Sequence, residues 1–189
     1  HGWNNELLKK ISKSSKYNYE DIQLLFLNGY KDLLQLYLDE INIKMTLKSK
    51  SINFLRLKVH ERIRELIILR LKILSKEKNL ISRTFNHLLL PQNYKLSIKN
   101  LYKTVDQIWF LAGDNSTDFN FYTKRAILAQ VLSITNLHWL NNDDLKDTIS
   151  VLDKQLKLIS KIPKIKKKIK DVSKIFPIGI KSLKNFNFF

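Results

Sequence analysis

Turn-forming residues are so scarce in this chain that few folds other than a helical one are open to it. Its 189 residues include four glycines and three prolines, against a usual combined share of roughly 12%. A β-rich chain of this length needs many tight turns, so the deficit points to long helices. The length suits one domain with room for a real core. Cysteine is absent, which excludes disulfides and Cys-based zinc, iron–sulfur or thiol-nucleophile sites. The longest apolar stretch, Leu66 to Leu74, is broken by Arg70 and Lys72 and is too short for a bilayer span. The chain opens on His1 rather than Met, which reads as a fragment or processed form, so a missing targeting signal carries no weight.

Hydrophobic periodicity divides the chain into helices. Leu7, Leu8 and Ile11 mark a first short helix over about 4–14. Asn18 then caps a second, with Glu20 and Asp21 in its first turn, Ile22, Leu25 and Phe26 as its apolar face, and Asn28-Gly29 as its stop. Leu33, Leu34, Tyr37, Leu38, Ile41 and Met45 outline a longer helix. Residues 51–76 carry apolar side chains on more than one side, as a central helix does. Leu80 to Leu90 is a short helix stopped by Pro91. Ile98, Leu101, Val105, Ile108, Trp109 and Ala112 mark another, closed by Gly113. Residues 118–140 form a long helix with Ala126, Ala129 and Ser133 on one close-packing face, and Leu145, Ile149, Leu152, Leu156 and Ile159 stripe the next. The reading is an all-α domain.

No catalytic constellation emerges. His1, His60, His87 and His138 form no HExxH or Glu-x-x-His pattern, so a metal site is not expected. The dispersed glycines cannot build a phosphate loop, and no G-x-S-x-G elbow occurs. The chain is expected to be non-enzymatic, with no cofactor of its own. Its first two helices resemble a helix-turn-helix. Glu20 and Asp21 would meet phosphate repulsion there, and Ile22, Leu24, Leu25 and Phe26 are too apolar for a groove. Nucleic acid is not an expected partner.

The formal charge of +17 is concentrated at one end: residues 154–189 hold eleven lysines and one aspartate. A solvated surface and an anionic partner both fit that concentration. Ile162, Ile165, Ile169, Val172 and Phe176 step by three and four, with Lys164, Lys166, Lys167, Lys168, Lys170 and Lys174 between them. This basic amphipathic helix suits a membrane interface, where each lysine contributes about 1 kcal/mol. Packing of the same stripe on its own domain, or across a dimer, is the competing reading. Ile165, Lys166, Lys167, Ile169, Lys170, Val172 and Phe176 are the candidate membrane-binding residues. The chain divides accordingly into a helix-turn-helix-like part (1–45), a helical ligand- and partner-binding part (46–161) and a basic tail (162–189).

The most specific stretch runs from Ala112 to Ala126, Ala-Gly-Asp-Asn-Ser-Thr-Asp-Phe-Asn-Phe-Tyr-Thr-Lys-Arg-Ala. Phe119, Phe121 and Tyr122 follow a helix cap at Thr117 or Asp118, and they cannot all face one core. Either they pack an ordinary corner or they form a partner-docking patch. The run closely resembles the coenzyme Q (ubiquinone) biosynthesis protein nine family of lipid-binding accessory proteins. His1-Gly2-Trp3, Leu90-Pro91-Gln92-Asn93, and Asn142-Asp143-Asp144 leading to Leu152-Asp153 agree with it. The resemblance covers about 1–160.

That resemblance implies a tetracycline-repressor-like fold, usually dimeric, with a degenerate N-terminal helix-turn-helix whose first helix precedes this chain. It implies a protein on the matrix side of the mitochondrial inner membrane, or the cytoplasmic face of a bacterial one. There it would hold an isoprenoid quinone or phospholipid and present a quinone intermediate to the di-iron demethoxyubiquinone hydroxylase. The docking surface it implies includes Asp118, Phe121 and Tyr122, with Ile108 nearby; Asp114 and Arg125 complete the partner-binding candidates. Family members usually carry Trp where Phe121 stands, so an indole N–H donor is lost here. Leu101, Val105, Trp109, Leu128, Leu132 and Trp139 are the expected walls of a lipid lumen, or else simple core. An apolar lumen gains roughly 0.8 kcal/mol per buried CH₂ of a tail, leaving the polar head to point toward the docked enzyme. The alternative function is a tetracycline-repressor-type transcription regulator with a small-molecule pocket.

Overall fold

The computed structural model describes residues 2–114 and 119–159, with side chains from 121 onward in the second stretch. Eight α-helices account for most of them, and no strand occurs among the described residues. They are α1 (Asn5–Ser14), α2 (Tyr19–Leu25), α3 (Tyr30–Ser49), α4 (Val59–Leu74), α5 (Lys78–Leu88), α6 (Tyr94–Leu111), α7 (Phe119–Asn141) and α8, which includes 145–159.

Local chemistry sets the starts of these helices. The Asn4 side chain accepts the Leu7 N–H at 3.2 Å to cap α1, and Asn18 accepts the Asp21 N–H at 2.8 Å to cap α2. Between α2 and α3 the chain turns at Gly29, whose φ is +66°. A Cβ there would lie 2.5 Å from Asn5 Oδ1, the atom that accepts the Tyr30 N–H. Glycine is needed at this position both for conformation and for space.

Four sequence expectations change. The central helix begins at Val59 rather than at 51. Asn53 accepts the Leu55 N–H to stabilise a single 3₁₀ turn, Phe54–Arg56, and Glu61 accepts the Lys58 N–H to open α4 afresh. On α2, Ile22 is buried, but Leu24 and Leu25 are exposed, as is Leu27 just after it, because seven residues offer one inward position. On α7, Ala126 is exposed while Ala129 and Ser133 are half-buried. The sequence division at 45 falls inside the continuous helix α3.

Helix α4 forms the axis of the core. Leu66, Ile67 and Leu71 are fully buried, and Ile63, Ile68, Ile73 and Leu74 nearly so. Around it pack Leu34, Leu38, Ile41 and Met45 of α3, Val105 and Ile108 of α6, Leu128, Val131 and Leu132 of α7, and Leu152 of α8. Trp3 extends this core to the start of the chain by donating its indole N–H to Thr84 Oγ1 of α5 at 3.0 Å and contacting the Tyr37 ring. Polar contacts set the register of α3 on α6: Gln35 with Asn100, Asp39 with Lys103, Asn42 with Thr104 and Thr46 with Gln107. The numbers rise together, so these two helices run in the same direction.

The α8 stripe is as the spacing predicts, with Leu152 buried and Leu145, Ile149, Leu156 and Ile159 packed on the core. Arg64 of α4 fixes the helix with two parallel bonds to Asp153, Nε–Oδ1 at 2.6 Å and Nη2–Oδ2 at 3.0 Å. Both partners are partly exposed, so solvent screening limits the pair to about 1 kcal/mol or less. Asp153→Ala is expected to lower stability by no more than that in urea unfolding. Leu152→Ala should cost about 2–5 kcal/mol by opening a core cavity. Equal losses in the two variants would show that α8 is held by charge and not by packing.

Candidate functional site

The candidate site has two parts, a corner between α6 and α7 and a cavity farther along the same antiparallel pair. At the corner, α6 ends in a Schellman turn. The Gly113 N–H bonds to Phe110 O and the Asp114 N–H to Trp109 O, both at 3.0 Å, while Gly113 takes φ +86°. Arg62 of α4 clamps this end by donating to Ala112 O at 3.1 Å and Leu57 O at 2.9 Å.

Behind the turn lies an ionic cluster with two buried members, Asp114 and Arg125. Arg125 donates to Asp106 Oδ1 at 2.7 Å and to Asp114 Oδ2 at 3.3 Å, while Lys124 pairs with Asp114 Oδ1 at 2.8 Å. The Asp114 and Arg125 side chains are 4% and 6% exposed. Such charges persist in an interior only when paired, and breaking the pairing strands the survivor. The Phe121 ring stacks on the Arg125 guanidinium, 3.2 Å from its centroid, and meets the Tyr122 ring edge-on. Trp109 donates its indole N–H to Lys124 O at 3.2 Å, closing the base of the corner.

This geometry sorts the expected partner-binding residues. Tyr122 is 67% exposed, and Phe121 is half-buried beside it. Asp114 and Arg125 are buried supports beneath them, and Asp118 lies outside the described residues. Ile108 is fully buried, a correction to its place on a docking surface: Val105, Ile108 and Ala112 form the core-facing stripe of α6. Phe110, 71% exposed, takes its place at the surface. Sequence reasoning passed over it, although two residues at about 100° each set Phe110 some 200° away from Ile108.

The cavity opens between α3, α4, α5, α6 and α7 and encloses about 150 Å³. Leu101 and Leu132 line it, as expected of lumen walls. Val105, Leu128 and Trp139 are instead buried in solid packing, and Trp109 belongs to the corner. Trp139 is fixed by donating to Ser75 Oγ at 3.3 Å beneath the Lys78 ammonium. All six candidates share one helical period, and period alone does not separate a filled interior from a hollow one. The walls that spacing missed come from α3, α4 and α5: Leu38, Ile41, Leu74, Ile81, Phe85 and Leu88. A space of this size matches a benzene-sized group and is smaller than the ~300 Å³ or more of pockets that engulf drug-sized ligands.

The expected membrane-binding residues, Ile165, Lys166, Lys167, Ile169, Lys170, Val172 and Phe176, lie outside the described residues. Among the described residues no helix is long and apolar enough to cross a membrane, and no cluster of three or more His, Cys, Asp or Glu is arranged to hold a metal ion.

The helical arrangement is that of a tetracycline-repressor-like protein. It superposes on the crystal structure of a TetR transcriptional regulator from Nitrosomonas europaea with a TM-score of 0.63, at 19% identity, over 80% of this chain and 84% of that one. Residues 94–163, which contain both α6 and the aromatic corner, match the COQ9 family model. The ubiquinone biosynthesis protein COQ9, mitochondrial, of Rattus norvegicus is 43% identical over 76 residues, and that of Homo sapiens 40% over 76; each match covers 39% of this chain. The probable Dictyostelium discoideum counterpart is 31% identical over 83 residues, 43% of this chain. The chain spans about a quarter of the length of these relatives, 24% of the rat and human proteins and 27% of the Dictyostelium one.

The Schellman turn gives a direct test of how the corner is held. Gly113→Ala places a Cβ in a left-handed conformation, 3.1 Å from Arg62 Nη1. The substitution is expected to cost about 1–2 kcal/mol, read as a lowered Tm. An unchanged Tm would mean that the turn relaxes freely.

Proposed function

We propose that this protein is a non-catalytic accessory factor of ubiquinone biosynthesis. It binds an isoprenoid quinone intermediate at the membrane and presents it to the di-iron demethoxyubiquinone hydroxylase. It works in mitochondria as a homodimer on the matrix face of the inner membrane. The observation that carries this reading is the coincidence of the COQ9 match, 94–163, with a rigidly supported aromatic corner. Phe110 and Tyr122 stand out from it on a base of paired charge. Aromatic groups held in place by buried neighbours suit protein docking, because little side-chain freedom remains to be lost on binding.

The nearby cavity receives one end of the lipid, and the rest leaves through its mouth. Residues Leu101 and Leu132 on its wall lie roughly 14 Å along α6 and α7 from Phe110 and Tyr122, so cargo and partner meet on one helix pair. Membrane attachment is assigned to 162–189. The first turn of α2 carries Glu20 and Asp21, which disfavours the transcription-regulator reading because carboxylates repel phosphate.

Tyr122→Ala should weaken hydroxylase binding about thirtyfold in surface plasmon resonance, the effect of losing a central aromatic anchor. Helicity should not change, since the ring is exposed. Normal binding by this variant would remove the corner as the docking site. Deleting 162–189 should abolish flotation with phosphatidylcholine–phosphatidylserine vesicles. Flotation that survives the deletion rejects the tail as anchor, and retention of duplex DNA at moderate salt would favour the regulator.

A further inference from the structure

The cavity wall reaches the surface at apolar residues. Leu89, at the end of α5, and Leu137 of α7 line the cavity and are nevertheless 64% and 48% exposed, so both belong to its rim. Ile98 of α6, between the lining residues Ser97 and Leu101, is 63% exposed. Tyr94 and Tyr102, one turn to either side of Ile98 on the same ridge, are exposed as well. About two and four turns further along nearly the same face, Val105 and Ala112 are fully buried. This side of α6 therefore loses its cover only where the cavity opens. The charge beside the rim has one sign. Residues 78–105 contain Lys78, Arg83, Lys95, Lys99 and Lys103 and no Asp or Glu. Asp39 and Asp143, on neighbouring elements, are bonded to Lys103 and Lys78. Lys95 and Lys99 are exposed next to the tyrosines, with the Lys95 ammonium 5.9 Å from the centre of the Tyr94 ring. Among the described residues no carboxylate pairs with either of them.

We propose that this rim rests on an anionic lipid leaflet, with the cavity mouth turned to the bilayer. Leu89, Ile98 and Leu137 then meet the acyl boundary, the two tyrosine rings lie at headgroup level, and Lys95 and Lys99 face lipid phosphate. A lipid tail passes from the leaflet into the cavity without exposing its apolar surface to water, and its head stays outside, within reach of a docked partner. The inference rests on the cavity being the lipid site of the proposed function, and it adds the face by which lipid enters. Two lysines and a few partly exposed side chains hold a surface weakly, so anchoring stays with 162–189. Once that segment is bound, the rim meets lipid at a high local concentration.

The chain has no cysteine, so a single introduced one carries an environment-sensitive dye at a chosen position. Ile98→Cys and Ile43→Cys form a matched pair, because Ile43 is 57% exposed on the outer side of α3. With the full chain on phosphatidylcholine–phosphatidylserine vesicles, the dye at 98 is expected to shift to the blue and to be quenched by lipid brominated on its acyl chains. The dye at 43 should stay unchanged. Adding Lys95→Glu and Lys99→Glu should abolish the shift at 98 while flotation through the tail persists; a shift that survives them overturns the assignment to anionic lipid. Equal shifts at 98 and 43 mean that no face is preferred, and they overturn the proposal. A chain that floats without a shift at 98 overturns the rim and leaves the tail as anchor. A chain that does not float at all rejects the membrane reading and the rim together. A change at 98 that requires added hydroxylase, or that grows with protein concentration in the absence of lipid, gives the rim to a protein partner and also overturns the proposal.

Discussion

Burial of α4 on nearly every side is the constraint from which the rest of the structure follows. A helix with Leu66, Ile67 and Leu71 wholly out of water must be covered all round, so α3, α6, α7 and α8 each present their apolar stripe to it. At about 1.5–3 kcal/mol for each fully buried aliphatic side chain, this packing outweighs any surface ion pair in the molecule. The polar contacts serve a different purpose. The series from Gln35–Asn100 to Thr46–Gln107 sets where α6 lies along α3, which apolar packing alone determines less sharply.

The same axis carries two arginines with opposite consequences. Arg62, near its N-terminal end, is satisfied by the carbonyls of Leu57 and Ala112 and holds the end of α6 in place. Arg70, two turns later, lines the cavity and donates to Asn42 Oδ1 at 2.6 Å, while its buried Nε has no partner. One helix therefore supports the aromatic corner and lines the cavity. The corner is supported by the buried Asp114–Arg125 pair, to which the more exposed Asp106 and Lys124 add one bond each. Removing Asp114 or Arg125 would deprive the other buried charge of its buried partner, a larger cost than the pair itself contributes.

Much of this architecture was legible in the residues. The Asn18 cap, the stop at Gly113 and the α8 stripe all act through neighbours three or four positions away, and such rules are local. The Ala112–Ala126 run was specific enough to show a resemblance to COQ9 proteins before any coordinates. The start of α4 was less legible, because its opening signal, Glu61 reaching back to the Lys58 N–H, lacks the Ser or Thr that usually announces such a box. Leu25 and Ile108 were misplaced for one shared reason. Periodicity assigns a face to each residue, but neighbouring helices decide whether that face is covered.

What the amino-acid order determined by itself was the helical class, the positions of most helix ends and the segment similar to COQ9 proteins, since each depends on contacts within about one turn of chain or on the residues themselves. Tertiary structure alone decided which apolar stripe encloses a space and which is solid. It brought α3, α4 and α5 to the cavity wall, left Arg70 there without a carboxylate, and raised Phe110 beside Tyr122 at the surface. These outcomes depend on how helices separated by tens of residues fit side by side, and no short stretch of sequence encodes that distance.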